Sequence, residues 1–535
     1  MNSYLSVFTR CLLALFFSVS LCTVAIAQGE ESPHVKFANK ITLENLESHV
    51  WALSADSMMG RETGQPGSHM AGNYIQRFFE ELGVPAVGDT TYRQTMTIHW
   101  LMWEENELFV GERKLRNNRE YLALPAYNRD WEDVSVGEIV FAGYGIKSDA
   151  YSDMPDVDLK GKTVVVLRGE PIDDEGKSLV TGSEEESEWS RNDSLKLNLF
   201  ADRGAELILM AEPAMFDLVR AKWRAMTSPL EPHSPKGPAE GYPGLIHLQQ
   251  SVVFEMMGEL GNSLSDAMTY GGSSILDWTG QSTEVDFRIH LEKEVRTLQD
   301  DNILGYIRGT DPERRDELIV VSAHYDHIGY EGDEIFNGAN DNASGTAAVM
   351  EMGRALVRSV EAGYGPARSV LLLLLTGEEK GLLGSRYYVQ NPVFPLEQTI
   401  ANINIDMLGR TDKRYEEKGI DNYIYPIGTD RLSTEFHEIV VDVNERYSNL
   451  ELDFRYNDPE DPNRYYFRSD HYNFAKNGIP AVFYFNGMNE DYHQTGDTAD
   501  KMNYEVMTKQ TRHIFHVLWE LANREEAIQV DVFED

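Results

Sequence analysis

At 535 residues the chain is longer than one ordinary hydrophobic core supports, so two or more domains are expected. Its 41% apolar and 25% charged residues exclude a disordered composition. With 48 basic against 88 acidic residues the formal charge is -40, which excludes nucleic acid as a partner, because phosphate binding needs a basic surface.

Arg10 precedes an apolar run from Cys11 to Val24, and Ala25-Ile26-Ala27 offers small residues before Gln28. This is the pattern of a secretory signal peptide cleaved after Ala27. The run is short for a membrane-spanning helix, so no stable membrane insertion is expected once it is removed. Lipid modification at Cys22 is disfavoured by the bulk of Leu21 before it. The mature protein is then exported, to a periplasm or to the exterior. Cys11 and Cys22 are the only cysteines, and both lie in the removed segment. Any metal must therefore be held by His, Asp and Glu.

Residues 41–82 read as helical on both sides of a glycine-rich turn from Asp56 to Gly67, with Leu43, Leu46, Val50 and Leu53 at helical spacing. Short β-branched runs at 138–145 and 162–167 suggest a separate strand-rich module. The acidic run 183–188 reads as a solvated loop within it. From Asn302 onward strands at 317–323, 369–376, 400–405 and 479–485 alternate with helices at 343–357, 381–389 and 504–524. That alternation predicts a three-layer α/β/α sandwich around a mostly parallel sheet.

In such sheets ligands bind beyond the carboxyl ends of the strands. His324, the Glu378-Glu379 pair, Asp406 and His493 all follow predicted strands, and Asp341 precedes a helix. Each alone has an ordinary explanation, Asp341 as a helix cap and Glu378-Glu379 as a solvated pair. Placed together at one sheet edge they form the inventory of a hydrolase with two divalent cations: imidazoles, carboxylates and a spare carboxylate as base.

The segments His324-Tyr325-Asp326-His327, Asn340-Asp341-Asn342-Ala343-Ser344-Gly345, Thr376-Gly377-Glu378-Glu379, Asn404-Ile405-Asp406-Met407 and Tyr492-His493-Gln494-Thr495-Gly496-Asp497-Thr498 resemble the M28 family of zinc metallopeptidases. The resemblance extends to the region around Gly60–Gly64. It implies a peptidase domain in two parts, 28–129 and 297–535, interrupted at 130–296 by a segment similar to a β-rich protease-associated (PA) domain. It also implies two zinc ions, with cobalt or manganese as substitutes, and peptide substrates. His324 and Asp406 would hold one ion, Glu379 and His493 the other, and Asp341 would bridge them. Glu378 would be the general base acting on the water the ions share, and Asp326 would orient a ligand. The segment Arg468-Ser469-Asp470-His471-Tyr472 resembles a family segment near the substrate pocket, which makes Asp470 and His471 secondary candidates for substrate binding.

The expected activity is a secreted aminopeptidase, its direction resting on the resemblance. A carboxypeptidase stays open. A one-zinc glutaminyl cyclase is disfavoured because His324 and Asp406 complete a second site. A receptor-like binding protein on the same scaffold would have lost ligands or base, and here all are present.

Overall fold

Leu318–His324, Ser369–Leu375, Thr399–Ile405 and Ala481–Phe485 are strands buried along their whole length except at half-buried Ile400. Because successive strand side chains point to opposite faces, continuous apolar runs suit a sheet covered on both sides. Ile319, Val321, Val370, Leu372, Ile403 and Val482 enter one core, whereas Leu318, Val320, Leu371, Leu373 and Phe483 enter the other. This is a computed structural model, and it describes residues 32–87, 91–173, 175–222, 230–231, 241–270 and 275–532. The expected signal segment, with Cys11 and Cys22, lies outside the described residues.

The chain divides into two units, one formed by residues up to Met96 with Asp300–Asp535, the other by Thr97–Gln299. In the first, Ser369–Leu375, Leu318–His324, Thr399–Ile405 and Ala481–Phe485 lie side by side in that order, all parallel. Ile303–Ile307 pairs antiparallel with Val370–Leu374 on one side, and Tyr423–Ile427 antiparallel with Phe483–Phe485 on the other.

Helices Leu43–Leu53, Pro66–Leu82, Ser344–Glu361 and Tyr504–Asn523 bury Leu46, Ile75, Val349 and Leu518 in the first core. Leu383–Gln390 and His471–Ala475 send Tyr388 and Phe474 into the second. The three-layer expectation is met. Helix Pro66–Leu82 opens on proline and closes at left-handed Gly83, the asymmetry that missing amide and missing Cβ favour at the two ends.

The second unit has its own parallel strands, Trp131–Phe141, Thr163–Leu167, Leu207–Glu212 and Gly244–Gln249 in spatial order. Helices Asp193–Asp202 and Gln250–Met257 accompany them, so it is a mixed α/β body. Its boundary also falls earlier than residue 130. Leu108, Leu115, Tyr121 and Ala123 are buried with Val165, Leu209 and Ile246 in one core, and they carry the 97–129 segment into this unit. No helix among the described residues is long and apolar enough to cross a membrane.

Leu372 is fully buried in the middle of the first unit's sheet. Leu372→Ala should lower its stability by about 2–5 kcal/mol, the usual cost of a leucine-sized cavity, as read by urea unfolding.

Candidate metal centre

The four parallel strands end on one edge of the sheet, and the candidate ligands leave from there. His324 is the last residue of its strand, Asp406 follows Ile405, and Glu378-Glu379 sit three and four residues beyond Leu375. Asp341 lies in the turn before helix Ser344–Glu361. It does not cap that helix. Asn342 instead accepts from the amides of Gly345 at 2.8 Å and Met407 at 3.2 Å, and donates to Ile405 O at 2.9 Å. The Asp341–Asn342 peptide is cis. Gly338, at φ +58°, must be glycine, since a Cβ there would lie 2.2 Å from Asp341 O and 2.6 Å from the His327 ring.

Asp341 divides its two oxygens. Oδ1 is 3.3 Å from His324 Nε2 and Oδ2 is 3.1 Å from His493 Nε2. Each histidine has a second carboxylate: Asp406 Oδ1 at 3.2 Å from His324 Nε2, Glu379 Oε1 at 3.0 Å from His493 Nε2. Glu378, His324 and Asp406 form one group that could hold a cation, and His327, Asp341 and Glu379 another. His324 Nδ1 donates to Asp326 O at 3.2 Å, which leaves Nε2 its lone pair for a cation. The donors are imidazole and carboxylate with no sulfur, a set suited to zinc and related divalent ions. Carboxylates gathered in so little space are costly unless positive charge lies among them, so the residues fit a metal centre.

Asp326 receives the amides of Glu378 and Glu379 at 3.1 and 3.4 Å, and Thr63 Oγ1 donates to it at 2.9 Å. It therefore aims both glutamates through their backbone. Ser469 Oγ donates to Asp406 Oδ2 at 2.7 Å. Asp497 takes the amides of Asn340 and Asp341 at 2.9 and 3.0 Å.

Two residues outside the expected ligand and base set, His327 and Asp497, thus belong to the site. Both lie within motifs that were legible, but only the folded chain reveals their contacts. His327 Nδ1 contacts Glu379 Oε1 at 3.0 Å and stands 3.9 Å from Asp341 Oδ2, farther than His493 does.

Asp470 and His471, the secondary candidates, lie behind the site. Both are fully buried, Asp470 accepting from Ser385 Oγ and His471 packed against Phe483 at 5.1 Å between ring centroids. His471 thereby backs Phe483, one wall of the cavity beside the metal centre. The cavity beside Asp341, Glu378 and Asp406 is lined instead by Met407, Tyr465, Arg468, Phe483, Phe485 and Tyr492.

Burial pushes the Glu378 carboxyl up; despite the pull of His324, Glu379 and Asp406 add to that push and hold it well above the ordinary value. Burial would lower His493, yet Asp341 and Glu379 outweigh it and raise the imidazole to about 9. A cation must displace that proton to reach Nε2. Metal affinity should therefore climb as pH rises from 6 and level off above about 9. Calorimetry in buffers of different ionisation enthalpy would register the released proton.

Residues 302–518 match the family model described as peptidase family M28. An uncharacterized protein of Escherichia coli, YfbL, is 29% identical over 38% of this chain and 66% of its own length. A probable leucine aminopeptidase of Trichophyton verrucosum is 27% identical over 50% of this chain and 71% of its own. Among solved structures, an aminopeptidase from Aneurinibacillus sp. strain AM-1 superposes with a TM-score of 0.54 at 17% identity, covering 94% of this chain and 98% of that one, which shows a shared fold. The segment matched to the M28 family model contains every residue of the metal centre described above except Thr63.

Proposed function

We propose that the protein is an exported two-zinc aminopeptidase that removes N-terminal residues from peptides. The observation that carries this reading is the divided carboxylate of Asp341, one oxygen toward His324 and the other toward His493. In this assignment His324 and Asp406 would hold one ion and Glu379 and His493 the other, with Asp341 available to both. When bound, such ions would supply Lewis-acid chemistry, polarising the scissile carbonyl and acidifying the attacking water.

The remaining work falls to the protein. Glu378 takes the water's proton on a carboxylate oxygen and returns it to the departing amine nitrogen. Burial beside other carboxylates gives this group a raised proton affinity, which suits the role, and the ions would draw it back down. Asp326 keeps Glu378 and Glu379 at their separate tasks by holding both amides. His327 steadies Glu379 at Oε1, the same oxygen that His493 reaches. The aromatic cavity formed by Tyr465, Phe483, Phe485 and Tyr492 supports a bulky apolar terminal residue, in keeping with relatives called leucine aminopeptidases. Export rests on the N-terminal segment and on a chain free of cysteine after Cys22. The Thr97–Gln299 unit corresponds to the PA-like insertion of this reading.

One observation favours a carboxypeptidase. Arg468 is exposed at the cavity and could take a substrate carboxylate. Digestion of an unbiased peptide library, with the new ends identified by mass spectrometry, separates the two. Loss of single N-terminal residues is expected, and C-terminal trimming would overturn the aminopeptidase reading. Glu378→Gln should keep its metal while kcat falls by about 10²–10⁴. Full activity in that variant would remove Glu378 from the role of base.

A further inference from the structure

Arg61 is, with Arg368, the largest fully buried side chain of the described residues, and it has no carboxylate within ion-pair distance among them. All its guanidinium hydrogen bonds go to main-chain carbonyls. Nε donates to Tyr325 O at 2.7 Å, Nη1 to Leu53 O at 2.6 Å and to Asn337 O at 2.7 Å, and Nη2 to Gly338 O at 2.8 Å. Tyr325 stands between His324 and Asp326. Asn337 and Gly338 lead into Asn340-Asp341. One planar fork thus ties the loop that carries His324 to the loop that carries Asp341, and both to the end of helix Leu43–Leu53.

The backbone adds to this. Arg61 O accepts from His327 N at 3.1 Å, and Thr63 grips Asp326. Arg61 itself is left-handed at φ +52°, a conformation a non-glycine residue keeps only where its surroundings demand it. Gly60 before it has no room for a Cβ, which would fall 2.0 Å from Gly329 O.

A buried cation bound only to neutral carbonyls is expensive unless a field of opposite sign lies nearby. That field comes from Asp497, Asp341, Asp326 and Glu379. The guanidinium is thus placed to hold two ligand loops in register and to offset part of the charge of the acidic cluster without occupying a ligand position.

We propose that Arg61 is a positioning residue of the metal centre, whose fork sets the separation of His324 and Asp341 and thereby the strength with which the site holds its ions. This rests on the two-zinc reading above, and the test keeps the two apart. Zinc affinity would be measured by chelator competition for the full-length protein and for Arg61→Met, Arg61→Lys and Arg368→Met, with folding followed by circular dichroism.

Arg368 serves as a control for burial, although it differs from Arg61 in pairing with the Glu317 carboxylate at 2.5 Å. It is equally buried and donates to the carbonyls of Leu521 and Arg524, but it precedes strand Ser369–Leu375, at the sheet edge opposite the site. Arg61→Met should fold and bind zinc about 10–100-fold more weakly, the usual effect of losing support behind metal ligands. Arg61→Lys should be weakened too, because an ammonium cannot span carbonyls on separate loops. Arg368→Met should melt earlier yet keep wild-type zinc affinity.

Wild-type affinity in either Arg61 variant would overturn the proposal. So would an equal loss in Arg368→Met, or failure of both Arg61 variants to fold while Arg368→Met folds. Absence of zinc binding by the unaltered protein would instead overturn the two-zinc reading.

Discussion

Asp341, Glu378, Glu379 and Asp406 share one small, largely enclosed space with His324, His327 and His493. Each carboxylate taken from water carries a desolvation cost, and crowding them adds mutual repulsion. Histidine protons offset part of this, which is why His493 is raised and Glu379 is drawn down to about 2. Divalent cations among the carboxylates would do so more fully. Much of the first unit can be understood as the scaffold needed to hold these repelling groups at fixed separation.

Several of the holding devices are neutral side chains behind the ligands. Asn402 Nδ2 donates to Ser322 Oγ, Ser322 Oγ to Asn404 Oδ1, Asn404 Nδ2 to Ser469 Oγ, and Ser469 Oγ to Asp406. This chain of buried hydrogen bonds runs between neighbouring strands inside a core where unsatisfied polar groups would be penalised. It places two asparagines in an otherwise apolar strand, where burial by itself would favour valine or isoleucine. Asp326 and Asp497 act similarly through backbone amides, each fixing two consecutive residues of a ligand loop. Several ligands are thus tethered at the backbone as well as at the side chain.

Much of this was legible beforehand because the relevant signals are local. Apolar runs such as Ser369–Leu375 can be buried on both faces only in a covered sheet, and strand-helix alternation makes neighbouring strands parallel. Parallel strands place their carboxyl ends on one edge, so residues just past them were bound to converge. Tyr423–Ile427 and helix Thr434–Val443 were not anticipated. Pro426 argues against a strand, and pairing with Ala481–Phe485, far along the chain, supplies what the local sequence lacks. The same holds for 97–129, whose residues join the second unit through contacts with strands beyond 160.

From its sequence alone the chain determined that any metal must be bound by His, Asp and Glu, that an α/β sheet would gather those residues, and which family motifs it carries. Tertiary structure decided the rest. It turned Asp470 and His471 inward, brought His327 to Glu379, set Asp497 under Asp341, and placed Arg61 between two ligand loops. The reason is physical: strand and helix periodicity is written in neighbouring residues, whereas a contact such as Arg61 to Gly338 depends on angstrom-scale packing of segments far apart in the chain.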